Sequence, residues 1–387
     1  GGGSGSQGGA LPMAGGILLD MKRMNKLISI DENAHSITAE AGMIFQQLEW
    51  YANEKGYSCM HIPSCLTCGT IGGALGHRGI GIFSSKYGKI DDMVLQMEVV
   101  LPNGDIINTL PVPKHAAGPD LNQIFIGSEG TLGIITKATL KLLPLCPYKI
   151  DILAVFTDVK QAVDLVPNLI KAGLNPTSIE FMDNGFVRAA SDFTEIRLPH
   201  YEDGSYVIVT VETFNEDELD MKMEQLDEIC TQCGATDVLE ADERVWRVRR
   251  NCLEGTRVLS KVSTSDDLVV PVDKIADCIE HLQEVAKDYN FKLMCLAHAG
   301  DGNLHFQILK CDMSDEQWED ELQRFHAIAY EYVYSLGGRI SGEHGIGAKK
   351  LAAMETYTDP VELEIMRTIK RAMDPNNILN PGKVFNV

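Results

Sequence analysis

The chain has 387 residues and 44% hydrophobic content, enough for two or three domains with sizeable cores. With 34 basic against 55 acidic residues its net charge is −21, which argues against nucleic acid and against an anionic membrane surface as partners. No run approaches the ~20 apolar residues that span a bilayer and no secretory leader is recognisable, so the composition reads as that of an acidic cytoplasmic protein without a transmembrane segment.

Ten Cys in a chain of this kind read as reduced thiols. Two Cys-x-x-Cys pairs occur, Cys65/Cys68 and Cys230/Cys233, too far apart for the usual iron–sulfur spacing. From the start, a Gly/Ser-rich run, Gly1–Gly9, leads into an apolar segment at residues 17–20 that reads as a strand. Successive backbone N–H groups in such a run suit phosphate oxygens. Strands follow at 26–31 and 36–40, then a helix over 43–55 with Phe45, Leu48 and Tyr51 near helical spacing. A second Gly-rich stretch, 63–81, suggests backbone wrapped closely round a ligand. Strands at 94–101 and 106–108, a turn at Pro102-Asn103-Gly104-Asp105 and a third Gly-containing segment, 127–136, precede Pro144 and Pro147, which mark a boundary. Beyond Tyr148 glycine thins out. Strands are predicted at 152–156, 179–182, 207–213 and 268–270, with helices at 159–172, 216–232, 243–259, 272–289, 315–336 and 360–373. This is an α+β pattern with an antiparallel sheet. The expected domains are 1–146, 147–340 and a returning C-terminal segment, 341–387.

Two stretches carry the chemistry: His298-Ala299-Gly300-Asp301-Gly302-Asn303-Leu304-His305 and Ser341-Gly342-Glu343-His344-Gly345-Ile346-Gly347. The first reads as a β-hairpin turning on Asp301-Gly302, the favoured centre of a two-residue primed turn. That register sets His298 directly opposite His305, on one face with Asn303 and Gln307, while Leu304, Phe306 and Ile308 point into a core. Two His and Glu343 form a common open set for a divalent metal such as Zn, Fe or Mn. A satisfied polar face is the plainer alternative, but glycines 300, 302, 337, 338, 342, 345 and 347 crowd His298, His305, Glu343 and His344.

Taken together these stretches resemble the flavin-linked oxidases of the vanillyl-alcohol oxidase type, most closely the branch of glycolate oxidase catalytic subunits and D-lactate dehydrogenases. The resemblance implies an FAD-binding domain of that type plus an antiparallel-sheet α+β substrate, or cap, domain. It implies that Gly1, Gly2, Gly3, Ser4, Gly5, Ser6, Gly8 and Gly9 bind the FAD pyrophosphate. Pro63, Ser64, Gly69, Thr70, Ile71 and Gly73 match the second FAD-binding segment. Glu129, Gly133 and Ile135 match the third, and Asn380 and Lys383 the C-terminal turn that returns to the flavin. His298, His305 and Glu343 match metal ligands, His344 the catalytic base, and Arg249 an arginine that binds the substrate carboxylate. Three departures stand out. The N-terminal βαβ unit of the family is missing, as expected of a fragment. Gly76-His77-Arg78-Gly79-Ile80-Gly81 replaces an Asn-Ala-Gly-Gly pattern. Ser265 and Leu253 stand where relatives oxidising 2-hydroxyglutarate carry Lys and Thr, which leans toward a monocarboxylate.

The implied activity is oxidation of a small 2-hydroxy acid, D-lactate or glycolate, to the 2-oxo acid, with hydride passing to flavin N5. No nicotinamide fingerprint is present, so an electron-accepting subunit, an electron-transfer flavoprotein or an iron–sulfur protein, is expected. The rival expectation is a non-redox transferase or lyase on the same scaffold, like the alkyl-dihydroxyacetone-phosphate synthases. The hairpin motif speaks against it.

Overall fold

A computed structural model describes residues 1–387 apart from 14, 111, 113 and 114. It divides into two compact units. The first comprises Gly1–Phe83, Tyr87–Leu145 and Glu343–Val387, and the second Ser84–Lys86 with Cys146–Gly342.

In the first unit, β1 (Leu27–Asp31), β2 (Ser36–Glu40), β4 (Val94–Val100), β5 (Ile106–Asn108) and β6 (Ile134–Lys141) form an antiparallel sheet in the order β1-β2-β6-β4-β5. A two-stranded ladder joins β3 (Tyr57–Ser58) to β7 (Leu143–Pro144). Alternation decides which face is buried. Ile37 and Ala39 of β2 point into a core with Leu140 and Ala138 of β6. The Phe45–Asn53 helix adds Phe45, Leu48 and Ala52, at spacings of three and four residues. The predicted strand at 17–20 does not form. Ile17 is 96% exposed, and no neighbouring strand among the described residues offers its backbone a ladder. The C-terminal stretch is anchored by a buried amine. Lys370 Nζ, on the Pro360–Met373 helix, donates to the carbonyls of Thr131 and Leu379 (2.9 Å each) and pairs with Asp374. Val384 and Phe385 are buried beyond it.

The second unit is a seven-stranded, wholly antiparallel sheet. Its strands are β8 (Tyr148–Phe156), β9 (Ser178–Met182), β10 (Ser205–Thr213), β11 (Asp237–Glu240), β12 (Ser263–Val269), β13 (Lys292–His298) and β14 (Asn303–Leu309), ordered β11-β8-β10-β9-β13-β14-β12. All nine residues of β10 are buried, as a strand covered on both faces requires. The helices come close to expectation, with two differences. The predicted 243–259 helix is two helices, Glu243–Arg250 and Cys252–Leu259, because Asn251 leaves helical geometry at φ −103°, ψ 17°. The Asn184–Thr194 helix is unpredicted. Asp183 caps it by accepting from the Phe186 amide, and its buried face is mostly small, with Ala189, Ala190 and Ser191 beside Phe186 and Val187.

The hairpin corrects the expected register. His298 pairs with Asn303 and His305 with Leu296, so the two His are not directly opposed. The connection is a 3-10 turn at Ala299–Asp301 closed by Gly302 in the left-handed region (φ 76°), not a two-residue turn. Its packing accounts for this. The Asp301 carboxylate takes the Ser84 hydroxyl, and a Cβ on Gly300 or Gly302 would overlap Ser85 or the Val270 carbonyl. The displacement is two residues, so the faces survive. His298 and His305 become diagonal neighbours on one face, ring centroids 5.3 Å apart and planes at 90°. Every residue of β14 is buried, including the polar face.

Candidate functional site

The second unit builds a buried polar network on that face. Glu180, on β9 and opposite His298, is 1% exposed. One of its carboxylate oxygens accepts from Arg249 Nε (3.1 Å) and Nη2 (2.6 Å); the other lies 2.7 Å from His298 Nδ1. Burial alone would raise the Glu180 pKa, but the charges of His298 and Arg249 outweigh it and hold it below its ordinary value. A carboxylate is an acceptor only, so His298 Nδ1 carries the proton and donates. An imidazole whose Nδ1–H is held by a buried carboxylate is the usual arrangement behind a metal-ligating histidine. A second carboxylate, Asp267 on β12, is fully buried opposite His305. It accepts from Asn303 Nδ2 (2.7 Å), the Ser341 hydroxyl (2.8 Å) and the Gly342 amide (3.0 Å), and its Oδ1 lies 3.9 Å from His305 Nδ1. The residue after Gly342 is Glu343.

Glu180 and Asp267 escaped sequence reasoning. For Glu180 the available signal was an acid inside an otherwise apolar strand, Ser-Ile-Glu-Phe-Met, where burial demands a partner; the polar strand Ser-Thr-Ser-Asp-Asp-Leu-Val gave none for Asp267. Arg249 sits at the C-terminal turn of the Glu243–Arg250 helix with part of its guanidinium committed to Glu180. Ser265 lies in β12 opposite Gln307, and Leu253 is exposed on the Cys252–Leu259 helix.

The first unit gathers the glycine-rich segments. Gly2 packs so closely on the Cys68 carbonyl that a Cβ there would overlap it, while Gly3 and Gly5 face open space. Gly1 lies against Thr70 and Gly73 at the start of the Ile71–His77 helix, which Thr70 caps by accepting from the Gly73 amide (3.2 Å). Ser4 contacts the Cys65 thiol, and Ser6 accepts from Gln7 Nε2 (3.2 Å). Gly8 takes φ 73°, and Gly9 is pressed against Glu129. This bare backbone, open along one side, fits a diphosphate. The Pro63 carbonyl accepts from the Leu66 amide (3.0 Å) in the turn that also carries Ser64 and leads to Gly69.

Glu129 braces this unit. Its carboxylate accepts from the Ile346 amide (2.6 Å) and the Gly347 amide (3.0 Å), and Asn380 Nδ2 donates to the carbonyls of Gly9 (2.9 Å) and Glu129 (2.6 Å). Burial raises the Glu129 pKa while the two amides oppose the rise. Lys383 Nζ is buried without a hydrogen-bond partner among the described residues; burial lowers its pKa and the Glu129 charge opposes this. Gly133 serves packing, since a Cβ would press on Val99 and Phe125, and Ile135 faces Val99 across the sheet. His344 lies beside Glu343, its Nε2 3.9 Å from the Glu343 carboxylate. All ten cysteines are free thiols. Among the described residues no helix is long and apolar enough to cross a membrane.

The C-terminal domain model of the FAD linked oxidases matches residues 148–384, and an FAD binding domain model matches residues 1–110. The chain is 34% identical to the glycolate oxidase subunit GlcD of Bacillus subtilis, over 98% of this chain and 81% of that protein. It is 35% identical to the D-lactate dehydrogenase of Archaeoglobus fulgidus, over 99% of this chain and 84% of that protein. Among solved structures, p-cresol methylhydroxylase shares the fold at TM-score 0.75 and 18% identity, covering 94% of this chain and 78% of that one. An alkyldihydroxyacetonephosphate synthase does so at TM-score 0.69 and 20% identity, covering 94% and 68%. The chain therefore belongs to the FAD-linked oxidases and is an FAD-linked oxidoreductase of the glycolate oxidase and D-lactate dehydrogenase family.

Proposed function

We propose that this oxidoreductase oxidises a small 2-hydroxy acid, D-lactate or glycolate, to the 2-oxo acid with help from one divalent metal ion, and passes the electrons to a separate protein acceptor in the cytoplasm. The observation that carries the reading is the Arg249–Glu180–His298 network, which orders a carboxylate-binding cation and a ligand imidazole through a single buried acid. Arg249 binds the substrate carboxylate with its planar guanidinium, as the family resemblance implies. His298 and His305 offer ring nitrogens to the ion, and Glu343 adds the third ligand, as the family resemblance implies. The ion, when bound, supplies a Lewis acid for the substrate oxygens. His344 takes the hydroxyl proton at a ring nitrogen, a task suited to an imidazole at neutral pH. Gly1–Gly9 hold the FAD diphosphate, and Pro63–Gly73 form the second FAD-binding segment. FAD, when bound, supplies the hydride acceptor. The absence of Lys and Thr at Ser265 and Leu253 favours a monocarboxylate.

Anaerobic titration tests this. Bound FAD should bleach with D-lactate or glycolate, and a chelator should slow the bleaching while FAD stays bound. His305→Ala should lose metal and flavin reduction, whereas His344→Ala should lose reduction alone. An enzyme whose flavin no 2-hydroxy acid reduces is not this dehydrogenase, and turnover of an acyl-glycerone phosphate without net redox would favour the transferase reading.

A further inference from the structure

The Gly76–Gly81 segment departs from its family's pattern, and its surroundings within the first unit give the departure a task. His77 is the last residue of the Ile71–His77 helix, which opens against the Gly1–Gly9 loop. Its Nδ1 lies 2.6 Å from the main-chain carbonyl of Glu343. A carbonyl only accepts, so Nδ1 bears the proton and donates. Three residues on, the Ile80 amide donates to the Glu343 carboxylate at 3.2 Å. One short segment thus holds Glu343 at both main chain and side chain. Beyond His344 the strand of contacts resumes, where the Ile346 and Gly347 amides give themselves to Glu129. Gly345, at φ 76°, permits the turn between the two anchors, and a Cβ there would crowd both Glu129 and His77.

We propose that His77 is a positioning residue for Glu343 and His344. Its Nδ1–H fixes the peptide between these two residues and so sets where the carboxylate and the imidazole point. The inference rests on the reading of Glu343 as a metal ligand and His344 as the base, and adds a residue to which that reading gives no part. The physical case is one of leverage. Rotating the 343–344 peptide swings the Glu343 carboxylate and the His344 ring together. Outer hydrogen bonds of this kind are worth about 10–100-fold in metal affinity or activity, and a misplacement of ~1 Å about 100-fold in rate. The helix carrying His77 also abuts the cofactor loop, so one element sets the register of both.

Two substitutions separate the hydrogen bond from mere packing. Asn carries Nδ2–H at the same distance from Cβ as the histidine Nδ1–H, so His77→Asn keeps the donor. His77→Phe keeps an aromatic ring and loses it. Three readouts are needed on FAD-loaded enzyme: Mn or Zn affinity by equilibrium dialysis, amide hydrogen exchange over residues 341–347, and kcat against KM for the preferred 2-hydroxy acid. The expected result for His77→Phe is metal affinity down about 10–100-fold, faster exchange at 343–345 and a fall in kcat exceeding any change in KM, with FAD content unchanged. His77→Asn should recover most of each. Wild-type affinity and exchange in His77→Phe, or losses equal in both variants, would overturn the inference. If wild-type enzyme and Glu343→Gln bind metal equally well, the ligand reading fails instead. The exchange comparison then still decides whether His77 holds the segment.

Discussion

Glu129 in the first unit and Asp267 in the second each accept backbone amides from the Ser341–Gly347 stretch, and they do so in different settings. Glu129 stands on a glycine-rich loop, itself in the left-handed region at φ 51°, and its partners are Ile346 and Gly347. Asp267 stands in mid-strand, fully buried, with Asn303 on one oxygen and Ser341 and Gly342 on the other. The first unit shapes its functional segments with main-chain groups and missing side chains. The second does so with charged side chains locked on a sheet. The lesson is that the two should fail differently, the first by crowding and the second by exposing an unpaired charge.

The sharpest way to break the comparison is Glu180→Ala. It strands Arg249 and His298 in a buried site, and removing one partner of such a group costs about 3–5 kcal/mol. Urea unfolding should show that loss; a change under ~1 kcal/mol would mean that the network is no more than a surface pair. Asp183 gives the next effect, through pH. Burial pushes its carboxyl up to about 6 from 3.8, against the amides of Phe186 and Cys295. Across that window the folded chain keeps a proton that the unfolded chain has released. Stability should therefore fall by up to ~3 kcal/mol as pH rises from 4 to 6. Asp183→Asn should flatten that slope, and an unchanged slope would remove Asp183 as its source.

In the first unit, Gly2→Ala should lose FAD from the purified enzyme by forcing the loop off Cys68, at a cost of about 1–3 kcal/mol. Metal affinity should stay at the wild-type level, and loss of both together would erase the distinction between the units. The smallest effect expected is Arg249→Lys. It keeps the charge and loses the fork, so KM for the 2-hydroxy acid should rise about 10-fold, one hydrogen bond's worth. An unchanged KM for every acid tested would remove Arg249 from carboxylate binding.

Elements announced by local chemistry were legible in the sequence. The Pro360–Met373 helix follows an Asp cap with Pro at its first position, and the Glu216–Gln232 helix opens with three acids; both have the expected limits. What escaped depended on distant partners. Asp301-Gly302 has the composition of a two-residue turn, but Ser84 and Ser85, more than two hundred residues earlier, reshape it. Glu180 is a single acid in an apolar strand and Asp267 one of two adjacent acids in a polar one, and no local rule says which imidazole or amide they serve. The antiparallel α+β class followed from alternation alone, whereas the strand at 17–20 failed because Ile17, Leu18 and Leu19 cannot create their own neighbour.

The four-residue connection from Ala299 to Gly302 has a consequence for how such chains can vary. Side chains alternate along a strand, so only an even change in this connection leaves His305 on the face it shares with His298. Insertion or deletion of two residues merely slides the two imidazoles along their common face. A one-residue slip of β14 against β13 instead turns Leu304, Phe306 and Ile308 to that face and sends His305 to the opposite one. Length drift in this loop is thus quantised in pairs, and odd-length variants should be missing from any lineage that keeps both imidazoles in use.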